Sequence, residues 1–121
     1  MLRQYRYSIK DWIWEIPAGL IDRNEEPLNT AKRELREEAG LVAEEWKSLG
    51  TFLGNSSRGC GTYHLFFACG AHQMQEPDSG DLEELELLLW SRSEIENAID
   101  TCQARSLGVI TMLLLGLRCV K

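Results

Sequence analysis

The stretch GLIDRNEEPLNTAKRELREEAGL, residues 19–41, decides the fold of this chain. Its apolar residues recur at three- to four-residue spacing, at Leu28, Ala31, Leu35 and Ala39. This spacing is typical of one face of an α-helix. Pro27 favours the first turn of a helix, and glycine, here Gly40, favours the position just past the end. The stretch therefore predicts a loop followed by a helix that starts near residues 27–30 and ends before Gly40.

Three acidic residues, Glu34, Glu37 and Glu38, share that predicted helix. Because each helical residue turns by about 100°, Glu34 and Glu38 lie nearly above one another, with Glu37 beside them. Like charges at this spacing destabilise a helix by a few tenths of a kcal/mol. A solvated face softened by Arg33 and Arg36 explains the charge. A platform for a divalent cation explains it too, since clustered hard oxygen ligands are what Mg²⁺ requires.

The residues around these carboxylates favour the metal platform. Together they resemble the Nudix box of the nucleoside-diphosphate-linked hydrolases, with all specified positions filled: Gly19, Glu25, Arg33, Glu34, Leu35, Glu37, Glu38, Gly40 and Leu41. On physical grounds Gly19 permits a tight turn, Arg33 holds Glu25 through a charge-assisted bond, and Leu35 and Leu41 point to the core. Glu34 and Glu38 are then left as metal ligands, and Glu37 as a ligand or a holder of water.

The resemblance implies a fold and an activity. The expected fold class is α+β, a Nudix-type α/β/α sandwich with a mixed sheet, shortened at the N-terminus, formed by one domain over residues 1–121. The implied reaction is Mg²⁺-dependent hydrolysis of a diphosphate bond linked to a nucleoside, with Mn²⁺ as the other possible cofactor. It also implies that the backbone carbonyl of Ala18 faces the metal, and that the downstream acidic loop supplies a further ligand or base. Glu83 is the first candidate, with Asp81 and Glu84 after it, and a solvated acidic loop is the alternative for each.

Two more segments resemble the ADP-ribose pyrophosphatase group: RQYRY at residues 3–7 and WIWEIPAGLID at residues 12–22. The resemblance places Arg3, Arg6 and Glu15 near the substrate, although Arg6 also reads as an ordinary surface arginine. Arg58, in a glycine-rich loop, is either a phosphate contact or a solvated side chain.

Aromatic and histidine side chains are weaker candidates. Trp12, Trp14 and Trp46 have the planar rings that stack on a base, yet core packing is expected for at least two of them. His64 lies in an apolar strand and is interpreted as a hydrogen-bonded core histidine. The alternation over residues 5–17 predicts one strand that stops at Pro17, and further helices are expected from Ser93 and from about Ser106.

Two departures from the ADP-ribose pattern shape the remaining expectations. The chain begins almost on top of the RQYRY strand, where the resembled enzymes carry an earlier strand and an N-terminal domain. The sheet edge so exposed leads us to expect a homodimer, with or without exchanged strands. The loop GNSSRGCGTYH, residues 54–64, lacks the acidic residue that ADP-ribose enzymes often carry there. A nucleoside triphosphate pyrophosphohydrolase and a nucleotide-binding protein without catalysis therefore stay open as alternatives.

Composition limits the partners. The 121 residues carry a net charge of −6, which argues against binding duplex DNA or an anionic membrane surface. The four cysteines lie far apart with no C-x-x-C pair, so reduced thiols and a cytoplasmic location are expected. The apolar stretch at residues 107–117 is too short to span a bilayer. A nucleotide-type small molecule is the expected partner.

Overall fold

A computed structural model of the chain describes residues 1–78 and 85–120. Along the chain the elements are β1 (Leu2–Arg6), β2 (Asp11–Glu15), α1 (Pro27–Ala39), β3 (Leu41–Val42), β4 (Glu45–Asn55), β5 (Cys60–Cys69), β6 (His72–Gln73), β7 (Leu85–Leu87), α2 (Arg92–Asp100) and α3 (Leu107–Leu117). Helices and strands are thus interspersed, and the predicted α+β class is confirmed. All four strand pairs among the described residues are antiparallel, although a mixed sheet was expected.

The N-terminal residues form a hairpin, so the prediction of one strand over residues 5–17 is wrong. The chain reverses at residues 7–10, where Lys10 adopts a left-handed φ of 53°. Strand β1 then pairs with β2 from Leu2↔Glu15 to Arg6↔Asp11, and with β7 on its other side. Both strands alternate aromatic and polar residues, and alternation by itself does not show where a chain folds back.

The β1–β2 hairpin has two chemically different faces because successive strand residues point to opposite sides. Leu2 and Gln4 are almost fully buried, at 1% and 2% exposure. Burial of a leucine side chain contributes roughly 1.5–3 kcal/mol. The register places Arg3 opposite Trp14 and Tyr5 opposite Trp12, on the other face. The two tryptophans therefore lie away from the face that carries Leu2 and Gln4.

Helix α1 has the predicted position and ending. It begins at Pro27 and ends at Ala39, and Gly40 follows with a left-handed φ of 68°. The Gly40 N–H donates to the carbonyls of Arg36 and Leu35, which closes the last turn. A Cβ at residue 40 would lie 2.1 Å from the carbonyl oxygen of Gln75. Glycine is therefore required here both by the backbone conformation and by the close approach of a neighbouring segment.

The two C-terminal helices pack the small core. Helix α2 starts one residue earlier than predicted, because Ser91 caps it with a reciprocal capping box to Glu94. Helix α3 follows Ser106 as expected. Ala104, Val109 and Leu113 are buried together, and Ile16 from the segment after β2 packs against them. This contact fixes the end of β2 against the helices. None of the helices in residues 1–78 and 85–120 has the length and apolar character to cross a membrane.

Candidate metal and substrate site

Two carboxylates of α1 lie against the backbone of the loop that precedes the helix. Glu38 Oε2 accepts a hydrogen bond from the Ala18 N–H at 2.9 Å. A Cβ built on Gly19 would lie 1.9 Å from Glu34 Oε1, so the Glu34 side chain occupies the space that glycine leaves. The φ of Gly19 is not in the left-handed region, so close approach to Glu34, instead of the expected tight turn, explains the glycine.

Arg33 connects the box residues through all five of its N–H groups. The Nε–H donates to Glu25 Oε1 at 3.1 Å, and Nη2 donates to Glu25 Oε2 at 3.1 Å and to the Leu20 carbonyl at 3.2 Å. The Nη1 group donates to Glu34 Oε1 at 2.6 Å and to Glu37 Oε2 at 3.2 Å. The predicted bond between Arg33 and Glu25 is confirmed. The same guanidinium also reduces the repulsion between Glu34 and Glu37.

These contacts shift the ionisation of both partners. Hydrogen bonding from Arg33, followed by that from Thr30, lowers the pKa of Glu25 from 4.5 to about 2. The bond to Glu25 and the contacts with Glu34 and Glu37 raise the pKa of Arg33. The ion pair is therefore formed throughout the neutral range. The ion pair joins the middle of α1 to the preceding loop.

The carboxylates fit a divalent cation by the chemistry of their donor atoms. Among the described residues no three His, Cys, Asp or Glu side chains converge as in a formed metal site. The donors beside residues 18–19 are nonetheless all oxygens, as Mg²⁺ and Mn²⁺ prefer, and Gly19 leaves the gap in which Glu34 lies. Glu34 and Glu38, with Glu37, are the described residues that would hold the ion.

The segment before the downstream acidic loop is anchored at the end of α1. The Met74 and Gln75 N–H groups donate to the Gly40 carbonyl at 2.9 and 3.3 Å. The Asp78 N–H donates to the Glu37 carbonyl at 2.7 Å. The chain is therefore held beside Glu37 immediately before residue 79. The predicted ligands Asp81 and Glu83, and Glu84 behind them, lie outside the described residues.

The predicted substrate residues of the hairpin divide between its two faces. Arg6 contacts Glu15 through Nη2 to Oε2 at 2.5 Å and Nε to Oε1 at 3.4 Å. Arg3 lies on the other face, with its guanidinium carbon 4.4 Å from the centre of the Trp12 ring and 5.8 Å from that of Trp14. The structure thus brings Arg6 and Glu15 together and places Arg3 in a cation–π contact away from them.

The remaining candidates are dispersed. Arg58 is exposed in the turn between β4 and β5, and no hydrogen bond or ion pair among the described residues joins its side chain to α1. Trp46 is half-buried at the start of β4. His64 Nδ1 lies 3.1 Å from Thr51 Oγ1, so it has the expected partner, but it is half-buried and not a core residue.

The sequence did not assign Thr30 to the site. Glu26 holds the N-cap position of α1 without a side-chain bond, so Thr30 does not cap the helix. The Thr30 hydroxyl instead donates to Glu25 Oε2 at 2.8 Å. The burial of Thr30 on α1 is a signal that only the structure supplies.

Two cavities occur elsewhere on the described part of the molecule. One, of about 300 Å³, lies beside α1 and is lined by Asn29, Lys32, Arg33, Arg36, Val42, Ala43 and Trp46. The other, of about 210 Å³, is mainly apolar and lies between β5 and the C-terminal helices. Neither is lined by Glu34, Glu37 or Glu38. The Glu34 side chain is 13% exposed and that of Glu37 is 36% exposed, so the two carboxylates differ in their access to solvent.

Comparison with known proteins shows the family of this chain. The family model described as NUDIX domain matches residues 1–106. An ADP-ribose pyrophosphatase of Mycobacterium tuberculosis is 39% identical over 83 residues, covering 65% of this chain and 39% of that protein. An ADP-ribose pyrophosphatase of Bacillus subtilis is 30% identical over 105 residues, covering 87% of this chain and 56% of that protein. The chain thus spans about half the length of these relatives or less.

A solved structure supports the fold independently. A crystal structure of an ADP compounds hydrolase superposes with a TM-score of 0.85 over 98% of this chain and 64% of that chain. Sequence identity is only 19%, so the likeness concerns the fold. It confirms the Nudix-type architecture that was expected from the box.

Proposed function

The chain belongs to the NUDIX domain family, and on that premise we propose that it hydrolyses the diphosphate bond of a nucleoside diphosphate linked to a further group, ADP-ribose or a nucleotide sugar. The observation that supports this proposal is the set of hydrogen bonds from Arg33, which joins Glu25 to two of the box carboxylates, Glu34 and Glu37. Nudix hydrolases generally use divalent metal ions. For this chain we propose Mg²⁺, with Mn²⁺ as a substitute.

The chemistry follows from the oxygen donors. When bound, the cation neutralises the diphosphate and lowers the pKa of a water molecule. Glu34 and Glu38 would hold it, together with the Ala18 carbonyl, and Glu37 would be a further ligand or would hold a water molecule. Water adds to one phosphorus, the P–O bond to the bridging oxygen breaks, and the proton goes to a carboxylate. We assign this proton to Glu83, with Asp81 as the second choice, followed by Glu37 and Glu38.

Substrate selection is proposed for the N-terminal hairpin. Arg6 and Glu15 form an ion pair that presents donors and acceptors to a ribose or phosphate. On the opposite face of the hairpin, Arg3 and the rings of Trp12 and Trp14 form an alternative surface, on which a planar base stacks favourably. Arg58 is proposed as a phosphate contact. Two relatives named ADP-ribose pyrophosphatase support ADP-ribose as the first compound to test.

The main alternative is hydrolysis of a nucleoside triphosphate. Residues 54–64 contain no acidic residue, which favours this alternative over ADP-ribose. The two reactions differ in their products, because ADP-ribose yields AMP and ribose phosphate whereas a triphosphate yields a monophosphate and pyrophosphate.

Product identification tests both activities. The purified chain is incubated with ADP-ribose, a nucleotide sugar and nucleoside triphosphates, with Mg²⁺, with Mn²⁺ and with chelator, and products are assigned by phosphorus NMR. Metal-dependent release of AMP supports the proposal. Release of pyrophosphate supports the alternative. Stable substrates under every condition, with a folded protein, contradict both.

We also propose a cytoplasmic homodimer. Among the described residues β2 pairs with a strand on one side only, and the β4–β5 hairpin exposes Phe52, Leu53 and Tyr63. A second copy that covers these groups removes an unpaired edge and apolar surface from water. All four cysteines are free thiols, as a reducing compartment permits. Light scattering measures the mass in solution, and a monomer mass at all concentrations overturns the proposed homodimer.

A further inference from the structure

Thr30 makes a buried contact with the ion pair of the candidate site. Its residue exposure is 4%, and its hydroxyl donates to Glu25 Oε2 at 2.8 Å. This bond spans five positions along the chain and crosses from α1 to the loop before it. The hydroxyl is thus directed at the carboxylate that binds Arg33.

Glu25 accepts from four donors, which leaves its carboxylate one orientation. Arg33 Nε binds Oε1, and Oε2 accepts from Arg33 Nη2, from Thr30 Oγ1 and, at 3.3 Å, from the Asp22 N–H. Two donors to Glu25 do not come from Arg33, and of these the Thr30 hydroxyl forms a shorter hydrogen bond than the Asp22 N–H. Its loss leaves the Asp22 N–H, which lies in an exposed loop, as the other restraint.

We propose that Thr30 is a positioning residue for the metal-binding carboxylates, and this inference rests on the proposed function. Its hydroxyl fixes Glu25, Glu25 fixes the fork of Arg33, and Nη1 of that fork sets the positions of Glu34 and Glu37. Thr30 itself touches neither the cation nor the substrate.

The coupling has a physical basis in competition for the carboxylates. Arg33 and the bound cation are both positive and both attract Glu34 and Glu37. While Glu25 binds Nε and Nη2 of Arg33, only Nη1 of Arg33 is directed at Glu34 and Glu37. If Glu25 turns away, the fork shifts towards Glu34 and Glu37, and these carboxylates are less available to the cation.

The test uses three threonine variants of the full chain. Thr30→Val removes the hydroxyl and keeps the shape, whereas Thr30→Ser keeps the hydroxyl. Thr111→Val is the matched control, because Thr111 donates within α3 to the Leu107 carbonyl, away from the site. Mn²⁺ affinity is measured by electron paramagnetic resonance. The hydrogen exchange rate of the Arg33 Nε–H is measured by NMR without metal.

Thr30→Val is expected to weaken Mn²⁺ binding by about three- to tenfold, less than loss of a group that contacts a ligand directly. It should also speed exchange of the Arg33 Nε–H. Thr30→Ser should restore both properties, and Thr111→Val should change neither. A purely structural role predicts a lower melting temperature in Thr30→Val with both properties unchanged, and that result overturns the inference.

The outcome for Thr30 is separable from that for the proposed function. If the unaltered chain binds no Mn²⁺, the proposed metal-dependent function fails. The exchange of the Arg33 Nε–H then decides the role of Thr30, because it needs no metal. If Mn²⁺ binds but Thr30→Val matches the unaltered chain in both measurements, the inference on Thr30 fails while the proposed function stands.

Discussion

The carboxylate of Glu38 accepts a hydrogen bond from the backbone N–H of Ala18 at 2.9 Å, although 20 positions separate the two residues. One helical turn earlier, Glu34 occupies the space beside Gly19. The loop and the helix therefore form one unit in which two carboxylates lie against adjacent peptide groups. Oxygen ligands set on such a rigid frame suit a hard cation.

Replacing Glu38 by Gln should abolish metal-dependent turnover and leave the fold intact. The amide removes the charge that the cation needs, and we expect a loss on the order of 100-fold or more in kcat/KM. Steady-state hydrolysis and circular dichroism measure the two effects. Glu45→Gln, an exposed position on β4, is the control and should retain activity. Unchanged turnover in Glu38→Gln would show that Glu38 is not a ligand.

Replacing Gly19 by Ala should damage the site more than the fold. The new Cβ would meet Glu34 Oε1 at 1.9 Å, and the flexible Glu34 side chain can move away. We expect a loss of roughly 100-fold in activity, since small misplacements of reacting groups have effects of this order. The melting temperature should change little.

Gly108→Ala is the control for a glycine substitution. The added Cβ in α3 meets only ordinary contacts of 3.9 and 4.0 Å, so activity should be retained and stability should rise by about 0.5–1 kcal/mol. An active Gly19→Ala enzyme would refute the role of this close approach.

The Glu25–Arg33 pair should make stability depend on pH in the acid range. Arg33 and Thr30 lower the pKa of Glu25 from 4.5 to about 2, so the ionised carboxylate stabilises the folded state at pH above 4.5. That contribution is lost as the pH falls from about 4.5 towards 2. Urea unfolding of the unaltered chain and of Glu25→Gln measures it. Their stability difference should shrink across this window, and a constant difference would contradict the pair.

Replacing Glu15 by Gln should weaken substrate binding without slowing the chemical step. The change removes the charged partner of Arg6, which is proposed to face the substrate. We expect KM to rise about tenfold with kcat nearly unchanged, as for a group that binds ground state and transition state equally. Glu96→Gln, which breaks an exposed pair with Arg92 on α2, is the control. A fall in kcat at constant KM would assign Glu15 to catalysis instead.

The sequence predicted the parts of the site that lie on one helix. Glu34, Glu37 and Glu38 share α1, as the spacing indicated, and Arg33 binds Glu25 in the loop before the helix, as expected for the box. The prediction from sequence was wrong where two segments meet. The N-terminal alternation predicted one strand, and the hairpin that forms instead places Arg3 on the face opposite Arg6 and Glu15.

A helix is specified by hydrogen bonds between residues four apart, so its limits and faces can be read from neighbouring residues. Sequence alone thus determined α1, its ending at Gly40 and the alignment of its carboxylates. Tertiary structure decided that Glu34 needs the space at Gly19, that Glu38 binds Ala18 and that the Thr30 hydroxyl reaches Glu25. These contacts depend on how the loop packs against the helix. Contacts between side chains of a loop and a helix leave no periodic pattern in the sequence, so the sequence does not reveal them.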